Sequence, residues 1–264
     1  MKPKYLIPLL LFSVLVTSCG KNAEKNTKLT IATAANMQFA MDSLVHAFSE
    51  STGVSCEIII SSSGKLTAQI KEGAPFDIFI SADMKYPEEL YGGGFTTAAP
   101  EVYAYGKLVL WSMKEDITPG MEILSTDRVR HIAIANPRTA PYGEAALEVL
   151  ERWGLREKLE NKLIYGESIA QTNQFITSKA AEAGFTAKSV VLSPQMRDQG
   201  KWLDLDTGLH TPIAQGVVIL KKQEPAPAAA QLFYDYLFSA AARQILLDFG
   251  YALPDPILSK QPAR

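Results

Sequence analysis

Short apolar runs alternate with segments of helical periodicity along most of this chain of 264 residues. After the first run, Met37, Ala40 and Leu44 recur at helical spacing. Asn36 stands where the N-cap of that helix belongs. The first three predicted strands are residues 28–33, 54–60 and 76–80. Such alternation predicts an α/β fold in which helices cover both faces of a mostly parallel sheet.

The alternation continues to the end of the chain. Further strands are predicted at 107–113, 131–135, 162–165, 189–192, 202–205 and 212–221, and helices at about 170–183, 225–238 and 240–249. The elements form one series to about residue 113, a second to about residue 208, and a final strand with two helices. Two lobes between which the chain crosses twice would give this order, and so would one large sheet.

The charge balance excludes one class of partner. The chain has 26 basic and 28 acidic residues and a formal net charge of −2. No basic field is available to attract nucleic acid, so we expect no nucleic-acid partner. An anionic ligand would have to be held by local geometry rather than by overall charge.

Residues 1–27 are predicted to be a targeting segment and a tether rather than part of the fold. Two lysines precede an apolar run, Tyr5 to Val16, which is too short for a comfortable membrane span. The run ends in Val16-Thr17-Ser18-Cys19, which resembles the lipobox of bacterial lipoproteins; an ordinary secretory signal is the alternative. We therefore expect an exported protein on the periplasmic side of the cell envelope, anchored to a membrane only through a lipid on Cys19.

Four predicted strand-to-helix junctions are candidates for ligand binding. They lie at Asn36, Ser62-Ser63, Tyr142-Gly143 and Ser168-Ile169. In open α/β sheets, ligands bind beyond the carboxyl ends of the strands, where helix N-termini present free N–H groups and the positive end of the helix dipole. Each junction could give one or two donors to a shared anion. A plain helix cap is the competing interpretation at any single junction, so the joint placement carries the binding hypothesis.

The hydroxyl and amide side chains at these junctions are all neutral. A protonated oxyanion such as hydrogen phosphate has an O–H that requires an acceptor, whereas a fully ionised tetrahedral dianion requires donors alone. The pattern therefore favours molybdate, tungstate or sulfate over phosphate. Phosphate stays open, because hydroxyls and carbonyls also accept and because Glu144 and Glu167 lie close in sequence.

Signals for catalysis or for metal binding are weak. Ser62 and Lys65 match the Ser-x-x-Lys spacing of penicillin-recognising enzymes, but the chain has no convincing Ser-Asp-Asn or Lys-Thr-Gly partner. The three histidines are scattered, without metal-ligand spacing. We expect a protein that is not an enzyme, with no catalytic residue, no direct metal ligand and no cofactor. A serine acyl-transferase that uses Ser62 and Lys65 is the remote alternative.

Five sequence stretches occur in an order that resembles one known family. They are Ala34–Asn36, Ser62–Leu66, Glu72–Asp83, Asn136–Gly143 and Phe233–Leu237. Together they are similar to the periplasmic molybdate-binding proteins that serve molybdate ABC importers. The similarity spans about residues 28–252, and its most specific part is Gly-Ala-Pro-Phe-Asp-Ile-Phe-Ile-Ser-Ala-Asp at 73–83.

This resemblance implies a type II periplasmic-binding-protein fold, in which two α/β lobes are joined by two crossover strands and an oxyanion binds in the cleft. It implies that residues 28–108 and 219–258 form lobe I, 109–218 form lobe II, and 259–264 are a tail. It also implies a monomer that captures molybdate, or tungstate, for an ABC importer permease. A receptor for another tetrahedral oxyanion, such as sulfate or phosphate, is the alternative.

The family's ligand positions carry over to this sequence one at a time. The first-turn residue falls on Asn36 and the second-turn serine on Ser63. The third position falls on Tyr142, and the fourth, a backbone N–H donor from an apolar residue, falls on Ile169. The supporting residues implied beside them are Ala35 and Ser62.

Overall fold

The computed structural model describes residues 28–222 and 228–255, which form two α/β lobes. The strands are β1 (Leu29–Ala34), β2 (Cys56–Ser61), β3 (Ile78–Ile80), β4 (Glu101–Gly106), β5 (Leu108–Ser112), β6 (Ile132–Ala135), β7 (Leu163–Gly166), β8 (Ala183–Ala187), β9 (Lys201–Asp204) and β10 (Ile213–Ile219). The sheet of the first lobe has the order β2-β1-β3-β10-β4, and that of the second lobe has the order β7-β6-β8-β5-β9.

Each sheet is parallel apart from one strand. In the first lobe β1 runs parallel to β2 and β3, and β10 runs antiparallel to its neighbours β3 and β4. In the second lobe β6 runs parallel to β7 and β8, and β5 runs antiparallel to β8 and β9. The antiparallel strands, β5 and β10, are the first strands that the chain forms after it crosses from one lobe to the other. The predicted fold, two lobes with mostly parallel sheets, is confirmed.

Helices pack on both faces of the sheets. They are α1 (Gln38–Thr52), α2 (Ser63–Lys71), α3 (Lys85–Gly92), α4 (Pro141–Arg152), α5 (Arg156–Leu159), α6 (Ile169–Thr177), α7 (Lys188–Val191), α8 (Ala228–Leu237) and α9 (Ala240–Asp248), with a short 3₁₀ helix at Ala35–Met37 before α1. In the first lobe, α1, α8 and α9 form one buried cluster with the sheet, and α2 and α3 form another. The core of the second lobe also takes in Ala34, Ala35 and Ala82 of the first lobe, so apolar packing continues across the cleft.

The chain crosses between the sheets at two places. The first crossing is Lys107, between β4 and β5, and the second lies between Asp204 and Ile213. The resemblance implies a second lobe that extends to residue 218, whereas the structure places β10 in the first sheet. The return crossing therefore precedes β10.

The sequence pattern misplaced the segment between residues 170 and 192. The helix predicted at 170–183 ends at Thr177, and Lys179 has left-handed backbone with φ of 61°. The missed strand β8 follows. All five of its residues are buried, so it shows no alternation of polar and apolar positions. The strand predicted at 189–192 is wrong, because most of these residues form α7.

Within residues 28–222 and 228–255, no helix is both long and apolar enough to cross a membrane. The predicted targeting segment with Cys19 and the predicted tail at 259–264 lie outside the described residues.

Candidate functional site

Four helix N-termini meet at one cavity between the lobes. The first lobe supplies the 3₁₀ helix before α1 and the start of α2, and the second lobe supplies the starts of α4 and α6. The strands that precede these helices are β1, β2, β6 and β7. The cavity is lined by Ala34, Ala35, Asn36, Ser62, Ser63, Ala82, Ala140, Pro141, Tyr142 and Ile169. The four predicted ligand positions and both supporting residues thus surround the same space.

The cavity is small and has no charged side chain in its lining. Its empty volume, part of which is open to solvent, is about 190 Å³. The first N–H groups of each helix have no intrahelical acceptor, and the helix dipole adds partial positive charge at the same end. The cavity is therefore suited to a small anion.

Ser62 and Ser63 have different surroundings at the start of α2. Ser62 is the N-cap residue, and its Oγ accepts a hydrogen bond from the backbone N–H of Lys65 at 3.4 Å. Ser63 Oγ accepts from the backbone N–H of Ala82 at 3.0 Å. This contact leaves the Ser63 proton to be donated elsewhere, and Ser63 lines the cavity.

The predicted N-cap role of Asn36 is wrong. The N-cap residues are Ala34 for the 3₁₀ helix and Met37 for α1. Asn36 Nδ2 donates instead to Gln215 Oε1 at 3.0 Å and to Tyr251 Oη at 3.2 Å. Because both amide protons are used within the lobe, the donor that remains for a ligand is the backbone N–H in the first helical turn.

The hydroxyl of Tyr142, in the first turn of α4, reaches the first lobe. Its Oη accepts a hydrogen bond from Gln215 Nε2 at 3.3 Å. A Cβ at Gly106 would overlap with Oη and would lie 2.6 Å from Gln215 Nε2, so the space here requires a glycine. Burial raises the pKa of the Tyr142 hydroxyl well above its ordinary value, with a further contribution from Tyr251. The phenol therefore stays protonated and can donate a hydrogen bond.

Ile169 is the first residue of α6. Ser168 holds the N-cap position, but its side chain makes no capping hydrogen bond. The Ile169 side chain is buried in the core of the second lobe. Its backbone N–H is therefore the group that this residue can offer to a ligand.

A buried hydrogen-bond network lies behind the cavity, and the sequence pattern did not predict it. Gln215 Oε1 accepts from Tyr103 Oη at 2.7 Å as well as from Asn36. The backbone oxygen of Asn36 accepts from Ser189 Oγ at 2.8 Å and from Tyr251 Oη at 3.1 Å. These residues share no motif. The available signal was Gln215 itself, an amide in a predicted apolar strand.

Hydrogen bonds join the lobes beside the cavity. The backbone N–H of Gly64 donates to the backbone oxygen of Thr139 at 2.9 Å. Tyr86 Oη donates to the backbone oxygen of Arg138 at 3.2 Å. The loop before α4 is thus held against α2 and α3, and the structure is a closed arrangement of the two lobes.

Two ion pairs also bridge the lobes. Lys65 Nζ lies 2.5 Å from Glu167 Oε2, and Lys85 Nζ lies 3.5 Å from Glu144 Oε1. The Lys65 amine is thus paired with the opposite lobe, while Ser62 Oγ caps a helix. In the described part of the chain, no group of three or more His, Cys, Asp or Glu residues is suited to hold a metal ion.

Comparisons with known proteins agree over most of the chain. The family model of bacterial extracellular solute-binding proteins matches residues 29–252. The molybdate-binding protein ModA of Azotobacter vinelandii is 38% identical over 233 residues, which cover 88% of this chain and 92% of that protein. ModA of Rhodobacter capsulatus is 36% identical over 222 residues, covering 83% and 86%. The solved periplasmic molybdate-binding protein of A. vinelandii matches with a TM-score of 0.81 and 35% identity, covering 86% of this chain and 100% of that structure.

Proposed function

Because this chain belongs to the bacterial extracellular solute-binding proteins, the family of the ModA molybdate-binding proteins, we propose that it captures molybdate or tungstate between its lobes. Proteins of this class bind a ligand and hand it on without transforming it, so the chain is not an enzyme. The partner that we propose is the permease of an ABC importer.

The observation that carries the proposal is the convergence of helix N-termini, two from each lobe, on one uncharged cavity. A hydrogen bond to a charged group contributes about 1.5–3 kcal/mol, so several such donors can exceed the cost of association, about 4–15 kcal/mol. One junction alone could not. In the proposed site Ser63 and Tyr142 donate through their hydroxyls, and Asn36 and Ile169 through backbone N–H groups.

Sulfate is the main competing ligand, because the same donors satisfy any tetrahedral dianion. Selection between molybdate and sulfate would then depend mainly on cavity size. The acyl-transferase alternative gains nothing from the geometry, because Lys65 Nζ pairs with Glu167 and the Ser62 hydroxyl caps α2.

We further propose that the protein is exported and lipid-anchored through Cys19, and that it acts as a monomer on the periplasmic side of the cell envelope. The support is the lipobox-like sequence before Cys19. Metabolic labelling with a fatty-acid probe tests the anchor: label on the wild type that disappears in Cys19→Ala is expected. Equal labelling of both would contradict it.

Calorimetric titration with molybdate, tungstate, sulfate and phosphate tests the ligand. Molybdate and tungstate are expected to bind more tightly than sulfate, and phosphate is expected to bind most weakly. Equal or tighter binding of sulfate would overturn the assignment to molybdate.

A further inference from the structure

The hydroxyl groups that line the cavity each have their oxygen occupied by a donor from the surrounding protein. Ser62 Oγ accepts from the N–H of Lys65, and Ser63 Oγ accepts from the N–H of Ala82. Both donors are backbone groups. The third hydroxyl belongs to Tyr142, and there the donor is a side chain.

That side chain is Gln215, and its other contacts determine which way its amide points. Its Oε1 accepts from Asn36 Nδ2 at 3.0 Å and from Tyr103 Oη at 2.7 Å. A reversed amide would place Nε2 against the Nδ2 donor of Asn36. Gln215 is completely buried, so water does not compensate for such a mismatch. Nε2 is therefore directed at Tyr142 Oη.

On the basis of the proposed function, we propose that Gln215 is a positioning residue, which makes the Tyr142 hydroxyl a donor toward the cavity. The site thereby selects oxyanions that carry no proton. The Cα of Gly106 confines Oη on another side. Among residues 28–222 and 228–255, no hydrogen bond donated by the Tyr142 hydroxyl is present; the Asn36 side chain, whose Oδ1 is buried without a partner, also lies beside it. The Tyr142 proton is therefore open to an oxygen of a ligand.

The consequence is discrimination between anions of the same shape. Molybdate, tungstate and sulfate present only acceptor oxygens at neutral pH, which match hydroxyls that all donate. Phosphate keeps at least one proton at neutral pH, and that O–H would meet further donors. Without the Gln215 donor, Tyr142 Oη is free to accept, so the discrimination against phosphate becomes smaller.

The test is a set of dissociation constants for molybdate, sulfate and inorganic phosphate, measured by calorimetry on the full chain at neutral pH. The variants are Gln215→Glu, whose carboxylate attracts the Tyr142 proton, and Gln215→Met, which removes the donor without adding charge. In Gln215→Glu, molybdate and sulfate binding are expected to weaken by a common factor of about ten or more. Phosphate binding is expected to weaken less. Gln215→Met is expected to shift the ratios of the phosphate dissociation constant to those of molybdate and sulfate in the same direction, by a smaller factor.

A common loss for all three anions in both variants would indicate a structural role only and would overturn the proposal, as would unchanged constants. If either variant fails to fold, as judged by circular dichroism, the other decides. Failure of the proposed function looks different: the wild type would then prefer sulfate to molybdate, and the sulfate-to-phosphate ratio would still test Gln215. A wild type that binds none of the three would overturn both.

Two controls separate positioning from general damage. Gln231→Met makes the same replacement at an exposed position of α8 and is expected to leave all three dissociation constants unchanged. In a Tyr142→Phe background there is no hydroxyl to orient, so adding Gln215→Met is expected to leave the phosphate-to-molybdate ratio as it was. A further change of that ratio in the double variant would contradict the proposed route through Tyr142.

Discussion

The two lobes have the same arrangement of strands, but the side chains that line their halves of the cavity find their hydrogen-bond partners in different places. Each sheet has three parallel strands, then an antiparallel crossover strand, then an edge strand. In the first lobe, the side chains of Asn36 and Ser63 form hydrogen bonds within the same lobe, and the backbone oxygen of Asn36 also accepts from Ser189 of the second lobe. In the second lobe, Tyr142 finds its partner across the cleft, on β10.

This difference indicates that the side chains of the first half are oriented mainly within their own lobe, whereas the Tyr142 hydroxyl gains its donor when the lobes meet. The apolar core agrees, because that of the second lobe includes residues of the first. Substitutions in the packed interior of a lobe are therefore expected to affect stability, and substitutions at the cavity or across the cleft to affect affinity.

The largest effect is expected from Gly143→Ala, inside the second lobe. A Cβ at Gly143 would overlap with the backbone oxygen of Ala135. Because neither backbone can yield easily, we expect a loss of about 3 kcal/mol or more in the free energy of unfolding, the upper end for overpacking. Urea unfolding measures it. Gly92→Ala, where a Cβ has no atom within 4 Å, is the matched control, and an equal loss there would contradict the explanation.

One partly buried carboxylate of the first lobe, Asp83, and one buried carboxylate of the second, Glu182, are expected to respond to pH in opposite directions. In the first lobe, burial raises the pKa of Asp83 to about 6 and the charge of Glu144 adds to this, against hydrogen bonds from Ser81 and Tyr86. An Asp whose pKa is higher in the folded state destabilises that state as pH rises from about 4 through about 6. Asp83→Asn is therefore expected to stabilise by up to about 3 kcal/mol above that range, and little below it.

In the second lobe, the pKa of Glu182 is shifted in the opposite direction, below its ordinary value. Burial raises its pKa, but the N–H groups of His131 and Arg130, at 2.8 and 3.0 Å, outweigh burial and leave the pKa below its ordinary value. Such a carboxylate stabilises the fold above its unfolded pKa, and the stabilisation is lost as pH falls through the folded pKa. Glu182→Gln is expected to destabilise near neutral pH. Unfolding curves of both variants across pH measure the two effects. Changes of the same sign in the free energy of unfolding near neutral pH would contradict the expected difference.

Ser63→Ala tests the half of the site that is set within the first lobe. Loss of one charge-assisted hydrogen bond is expected to weaken molybdate binding by about 1–3 kcal/mol. Ser61→Ala, two residues earlier and outside the cavity lining, is the control and is expected to keep wild-type affinity. Unchanged affinity in Ser63→Ala would contradict the placement of the Ser63 hydroxyl in the binding site.

Gly64→Ala tests closure across the cleft. A Cβ at Gly64 would lie 2.6 Å from Tyr86 Oη and 3.0 Å from Thr139 Cα of the second lobe. We expect molybdate affinity to fall by about 1–2 kcal/mol. Alanine is the better helix residue, so the ligand-free protein is expected to keep or slightly raise its stability. Parallel loss of affinity and stability would argue that the contact belongs to the fold instead.

The smallest effect is expected from the ion pairs that bridge the lobes. Lys65 and Glu167 are 41% and 68% exposed, and exposed pairs contribute about 0.2–1 kcal/mol. Lys65→Gln is expected to weaken binding within this range at low salt and to match the wild type at high salt. A salt-independent loss would point to a role of Lys65 other than charge.

Much of the fold and part of the site follow from the sequence alone. Periodicity and turn chemistry are local properties, so they predicted the strand–helix alternation and placed Ser63 and Ile169 at helix starts. The same local reasoning failed for β8, because a strand buried on both faces has no alternation. It also failed for the cap at Asn36, whose amide is engaged by the buried network.

Only the tertiary structure decided which groups each junction can offer to a ligand. Ser63 is paired with Ala82, 19 residues away, Tyr142 with Gln215, 73 residues away, and Asn36 with Gln215, 179 residues away. The sequence therefore determined that neutral donors stand at helix N-termini. Whether a hydroxyl donates or accepts a hydrogen bond toward a ligand depends on the partner that already occupies its oxygen. Folding brings those partners from distant parts of the chain.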